Sequence, residues 1–270
     1  MHFSRAGARA RAVSAVTLLA VTGGLLLSSS AGAAQPALRL SANLPIGALP
    51  AACTSAPTGA ACTNAVVVAL DAARADIGLG PYVLPADFDS LSPTKQLFIL
   101  ANLDRISYGL APIAGLSPNL AVAAQAGVSG DSDPDPTALL NALPAYAWSS
   151  NWAGDWANAS YAYYEWMYDD GYGGSETSNV DCPSASASGC WVHRRNILSF
   201  ASPGTLTMGA AVGADSNGSS GYATTIVWTP GQTAWTSYSY TWAQAQAAGA
   251  GVPHVSRAHA RRTKDKHKRN

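Results

Sequence analysis

Residues 92–109 read SPTKQLFILANLDRISYG and carry the punctuation of one complete helix. Ser92 suits the cap. Pro93 suits the first turn, because its missing N–H would have no intrahelical acceptor there. Gly109 suits the stop, where the chain reverses into a left-handed conformation that glycine enters without a side-chain clash. Between these signals Leu97, Leu100 and Leu103 form an apolar stripe beside the polar trio Asn102, Asp104 and Arg105.

The same grammar recurs on both sides. Ser117-Pro118 opens a second helix running to Ala126, and GLAPIAG joins the two. Upstream, Asn64 reads as the cap of a helix to Arg74, stopped by Gly78-Leu-Gly-Pro81. Downstream, Asn158 to Asp170 reads as an aromatic-rich amphipathic helix. Leu206–Gly213 and Tyr222–Trp228 read as strands of a hairpin turned by GADSNGSSG. Helices early and strands late predict a layered α+β domain.

The ends differ from this middle. Arg5, Arg9 and Arg11 precede an apolar run broken by Gly23-Gly24, followed by small residues. That is the pattern of a secretory signal peptide over residues 1–34, cleaved near Ala33 or Ala34. A secreted, extracellular location and no transmembrane anchor follow as expectations. Residues 35–90 read as an N-terminal arm with one helix and a local disulfide, 91–245 as the main domain, and 246–270 as a linker and a basic disordered tail. Four cysteines stand as two close pairs, Cys53 with Cys62 and Cys182 with Cys190, and an oxidising compartment favours two local disulfides.

Formal neutrality hides a division of charge. Residues 35–253 hold six Lys plus Arg against fifteen Asp plus Glu, a net of minus nine, whereas residues 254–270 hold seven basic residues against Asp265 alone. An acidic globule argues against nucleic acid as a partner, because phosphate contacts dominate that kind of binding. The tail is a candidate for docking on acidic envelope polymers or on its own domain. The aspartates of GDSDPDPT, residues 130–137, lack the glycine and glutamate of an EF-hand loop.

Several pieces in order resemble the CAP superfamily of secreted domains, which includes cysteine-rich secretory proteins, antigen 5 and plant pathogenesis-related proteins. They are Asn102-Leu-Asp-Arg105, Gly109-Leu-Ala-Pro112, the Leu120–Ala126 helix, Ser150-Asn151, Trp166 and His193-Arg-Arg-Asn-Ile-Leu198. The resemblance covers roughly residues 91–228. It implies a three-layer α-β-α sandwich with a central antiparallel sheet, and a cleft built by two histidines and two acidic residues that in many members hold a divalent metal. Here Gly127 stands at the first histidine, Ser150 at the first acid and Asp169 at the second, while His193 matches the second histidine. Two remaining ligands do not hold zinc well, so no metal and no other cofactor is expected.

His193 has two readings. As a base oriented by Asp169 or Glu165 it would make the protein a hydrolase. As a local anchor, helped by Asn196, it would fix the turn entering RRNIL. The aromatic crowd between Tyr146 and Tyr172, with Trp148, Trp152 and Trp166, either fills the core or lines a ligand groove with Gly127, Ser150 and Asn151. The expectation is a monomeric, non-catalytic binding module at or near the cell envelope, taking a polymer, lipid or peptide. The alternatives are that hydrolase, or a structural envelope protein anchored by its tail.

Overall fold

The computed structural model describes residues 43–44, 50–172, 182, 184, 187–231 and 237–251. The expected signal peptide, most of the arm before residue 50 and the basic tail lie outside the described residues. Eight helices occur among the described residues: α1 (Ala51–Ser55), α2 (Ala60–Asp76), α3 (Pro93–Ser107), α4 (Pro118–Ser129), α5 (Thr137–Leu140), α6 (Ala159–Tyr168), α7 (Val192–Ile197) and α8 (Trp242–Ala247). The strands are β1 (Gly115–Leu116), β2 (Ala147–Gly154), β3 (Thr205–Ala214), β4 (Ser220–Thr229) and β5 (Tyr240–Thr241), in the sheet order β2-β4-β3-β1-β5.

The architecture is an α+β three-layer sandwich. Helices α3, α6 and α7 cover one face of the sheet, with α2 packed on α6, and α4 covers the other. The sheet is not wholly antiparallel: β1 pairs with β3 in parallel, while β2–β4, β3–β4 and β1–β5 are antiparallel. The parallel pair joins strands that are distant in sequence, since α4, α5, β2, α6 and α7 lie between β1 and β3.

Strand alternation sorts residues between the layers. A Cβ on Gly209 would lie 2.4 Å from the Leu120 backbone, so α4 sits directly on that glycine and a side chain there would push the helix off. Gly209 is in register with Thr225, and Thr225 with Ser150, so these three share the α4 face. Their neighbours Met208, Ile226, Ser149 and Asn151 share the other face. Burying each large apolar side chain of the main core, which includes Leu97, Leu100, Leu103, Trp166 and Met208, contributes roughly 1.5–3 kcal/mol.

Helix α3 runs as its punctuation predicts, and Gly109 closes it at φ 72°. Helix α2 begins earlier than expected, with Gly59 at its cap. Asn64 lies inside it and donates from its side chain to Asp89, 3.1 Å away. The disulfide Cys53–Cys62 ties α1 to the first turn of α2. Asn158 does cap α6, accepting from the Tyr161 amide at 2.9 Å. The expected linker at 246–251 is instead folded: Thr241 and Gln244 form a capping box on α8, and Gly251 bridges to Val83.

The polar trio of α3 lies inside the core, not on a solvated face. Asp104 is fully buried and accepts from the hydroxyls of Tyr82 (2.7 Å), Tyr163 (2.7 Å) and Tyr168 (3.1 Å), and it pairs with Arg74. Arg74 also donates to Gly80 O and Ser107 Oγ, both at 2.8 Å, so α2 is bound into the same layer as α3 and α6. Burial, with the Asp104 charge added, holds the Tyr82, Tyr163 and Tyr168 hydroxyls well above their ordinary pKa. Asn102 clamps Ile113, accepting its amide at 2.6 Å and donating to its carbonyl at 3.3 Å. Arg105 donates to the carbonyls of Ala111 (2.9 Å), Ile197 (2.7 Å) and Ser199 (2.7 Å), and burial pushes its pKa down to about 10.

Candidate functional site

Helix α7 sits where the chain leaves the Cys182–Cys190 disulfide, whose sulfurs pack against the buried ring of Trp191. Trp191 takes the left-handed conformation, φ 60°, which is costly for a bulky residue and persists because its surroundings over-determine it. Its amide donates to Asp170 O at 2.8 Å, and its ring stacks under the Arg194 guanidinium at 4.0 Å. A Cβ at Gly171 would lie 2.2 Å from that ring, so only glycine leaves room for it.

His193 follows, 31 % exposed, against an Asp170 that is 4 % exposed. One Asp170 oxygen accepts the His193 amide at 2.8 Å and the other contacts Nδ1 at 2.8 Å. With a carboxylate as acceptor, Nδ1 carries the proton and donates, and Nε2 is the basic nitrogen of the neutral ring. The carboxylate that orients His193 is therefore Asp170, one residue beyond the expected Asp169. Asp169 is the C-cap of α6 and Glu165 lies within that helix, both buried. Burial first, and then the charges of these two acids, raise the pKa of Tyr164.

The other polar groups of the segment are engaged with β2. Ser149 Oγ donates to Asn196 O at 2.9 Å, and Asn151 Nδ2 donates to His193 O at 3.1 Å. Asn196 Nδ2 donates to Ser150 O at 2.7 Å and to Asn151 Oδ1 at 3.0 Å. Arg194 is fully buried, donates from Nε to Met167 O, and burial lowers its pKa. The Asn196 side chain and the carbonyls of His193 and Asn196 thus dock the short helix onto β2, while Arg194 fastens it to α6.

The structure does not gather the expected cleft residues around His193. Ser150 turns its side chain to the α4 face, opposite α7, although its carbonyl reaches Asn196. Gly127 lies on α4, where a Cβ would come within 2.8 Å of Ser132 O and 2.9 Å of Pro134, so the GDSDPDPT loop occupies the space a ligand side chain would need. Trp166 is 2 % exposed and donates to Trp152 O at 3.2 Å, which makes it core and not a ligand platform. Trp152 and Trp148 are half-buried against Ala124 and Leu120 respectively, on the α4 face. Of the expected site, Asn151 and His193 meet directly.

Sequence reasoning missed Asp170 and Ser149. The resemblance placed the second acid at Asp169, which the structure makes the C-cap of α6, and the acid that meets His193 is the residue after it. Ser149 shares its strand face with Asn151, a signal that becomes readable once β2 is recognised as a strand. Among the described residues no three His, Cys, Asp or Glu side chains gather as metal ligands, and no helix is long and apolar enough to cross a membrane. No family model matches the chain, and neither a curated protein nor a solved structure does.

Chemically, the site offers one oriented imidazole with a buried carboxylate behind it. Such a pair can accept a proton at Nε2 and stabilise the resulting cation. The two serines of β2 are not placed as its nucleophile: one hydroxyl is bonded to Asn196 O and the other faces away.

Proposed function

We propose that the chain is an exported, non-catalytic binding module of CAP-like kind that works at or near the cell envelope. The observation that carries this reading is the use to which residues 193–196 are put. His193, Arg194 and Asn196 bond α7 to α6 and β2, and Asn102 and Arg105 bond α3 to the loops beside it. The residues that carry the resemblance therefore act as anchors of the scaffold. Export is supported by the charged and apolar pattern of the first 34 residues and by two disulfides of short span.

Sedimentation of the purified protein with insoluble cell-wall polymer, against phospholipid vesicles as a control, tests the reading. Retention on the polymer by a variant lacking residues 254–270 is the expected result, because it places binding on the globule. Loss of all retention on that truncation would leave the basic tail as the anchor and end the binding-module reading.

A hydrolase is the second reading, favoured by the Nδ1–Asp170 contact alone. It requires an activity on an ester, amide or glycoside that His193→Gln removes while the fold persists. An activity untouched by that change would eliminate His193 as its base.

A further inference from the structure

Strand β3 is covered along only part of its outer edge. β1 pairs with it at Thr207 and Met208, and the amides of Ala114 and Ser117 donate to Leu206 O and Met208 O, each at 2.8 Å. The chain then leaves the sheet to enter α4 at Pro118, while β3 continues to Ala214 with β4 on its other side. Backbone groups alternate in direction along a strand. The outward direction of Leu206 and Met208 therefore passes to Ala210, Val212 and Ala214, and among the described residues no backbone group pairs with these three on that side.

A groove of about 490 Å³ runs along this open edge. Thr94 of α3 lines one wall, Ala121, Val122 and Gln125 of α4 the other, and Ala210–Val212 form the floor. By register, Ala210 and Val212 point to the α3 face and Ala211 to the α4 face. A groove touching both sets follows the strand edge itself. Val122 stands 65 % exposed on the rim.

Open edges in globular proteins are usually blunted by charge, by proline or by a covering segment, because they template pairing with any extended chain. This edge reads Gly209-Ala-Ala-Val-Gly213, with neither a charge nor a proline, and among the described residues no segment pairs with it beyond β1. No lining residue is charged, so an occupant carrying charges would lose their hydration without compensation. That disfavours the chain's own tail, with its seven Lys and Arg. The walls rise on both sides of the edge, so a second copy, whose β3 is walled in the same way, cannot approach closely enough to pair.

We propose that this edge is a peptide site: an uncharged, extended segment of a partner protein lies in the groove as an added strand, continuing the pairing that β1 begins. Its backbone exchanges hydrogen bonds with Ala210, Val212 and Ala214. Its small side chains point alternately to Thr94 and to Ala121 and Val122. Among the described residues β3 runs on past β1 from Gly209 to Ala214, which accommodates roughly 20 Å of strand. Affinity comes from the backbone and selectivity from the narrow walls, as in other strand-addition sites. The site lies apart from His193 and does not depend on the envelope reading.

Titration of the full ¹⁵N-labelled chain with the capped peptide acetyl-Ser-Val-Ala-Val-Ser-amide, followed by amide shifts and hydrogen exchange, tests the proposal. Saturable shifts at Ala210, Val212 and Ala214, with exchange there slowed at least about tenfold, are expected. The fully N-methylated peptide, which keeps the side chains and loses the donors, should produce neither. Ala121→Trp, which fills the groove, should abolish the shifts while the rest of the spectrum stays dispersed. Equal binding of the methylated peptide, or no shift at these amides, overturns the proposal. So does prior protection of these amides that disappears on deleting residues 252–270 or on dilution, since the occupant would then be the tail or a second copy.

Discussion

Asp104 and Asp170 are both buried carboxylates that collect several donors, yet they serve different ends. Asp104 takes its donors from α2, the Tyr82 loop and α6, all within the core. Asp170 takes the amide and the ring nitrogen of one residue, His193, whose side chain remains 31 % exposed. The first ties together three elements far apart in sequence. The second sets one side chain at the surface and fixes the start of a six-residue helix. The same acceptor chemistry holds a fold together where every donor is dry, and orients a group toward solution where one donor is wet.

Breaking the two carboxylates should separate them by size. Asp104→Ala leaves Arg74 as an unpaired buried cation and three tyrosine hydroxyls without an acceptor, so a loss of about 3–5 kcal/mol in denaturant unfolding is expected. A loss under about 1 kcal/mol would mean that water enters the cluster. Next in size is Gly209→Val, which drives a branched side chain into the Leu120 backbone. Overpacking of this kind should cost about 1–3 kcal/mol, measured by the shift of the denaturation midpoint. Asn158→Ala removes the α6 cap and should cost about 1 kcal/mol. Smallest is His193→Gln, expected to change stability by under about 1 kcal/mol, because its ring is part-exposed and the amide bond to Asp170 survives.

The tyrosines sharpen the comparison along the pH axis. Tyr82, Tyr163 and Tyr168 have folded pKa values raised well above the ordinary value of about 10, by burial first and the Asp104 charge second. Above that pH the unfolded chain releases protons that the folded chain keeps, so stability is full below pH 10 and falls as pH rises beyond it. Tyrosinate absorbance near 295 nm should leave these three silent until alkaline unfolding. A titration in which all eleven tyrosines ionise together before unfolding would show that the cluster is wet.

The legible parts of the fold were those whose signals are local. The proline-opened helices α3 and α4 and the β3–β4 hairpin lie close to where their caps and turn residues place them, since those signals act within a few residues. Strand β2 was hidden because both its faces are covered: Trp148 and Trp152 pack toward α4 while Ser149 and Asn151 bond α7, which leaves no alternation of apolar and polar residues to read. Helix α8 was hidden by its composition, since Ala and Gln suit linkers as well as helices, although Thr241 and Gln244 already carried the capping-box spacing. Within the site, His193 stood open between base and anchor, with Asn196 named beside it only in the anchor reading. Asp170 was not legible, because the helix ends two residues before it and the chain beyond follows no period.

The central claim is that residues 193–196 bond α7 to the sheet and thereby form scaffold, with His193 displayed from it. A double-mutant cycle on Asn151 and Asn196, each changed to alanine and measured by denaturant unfolding, tests it most directly. The account predicts a coupling of about 0.5–3 kcal/mol between the two sites. Additive effects, with no coupling beyond error, would contradict it.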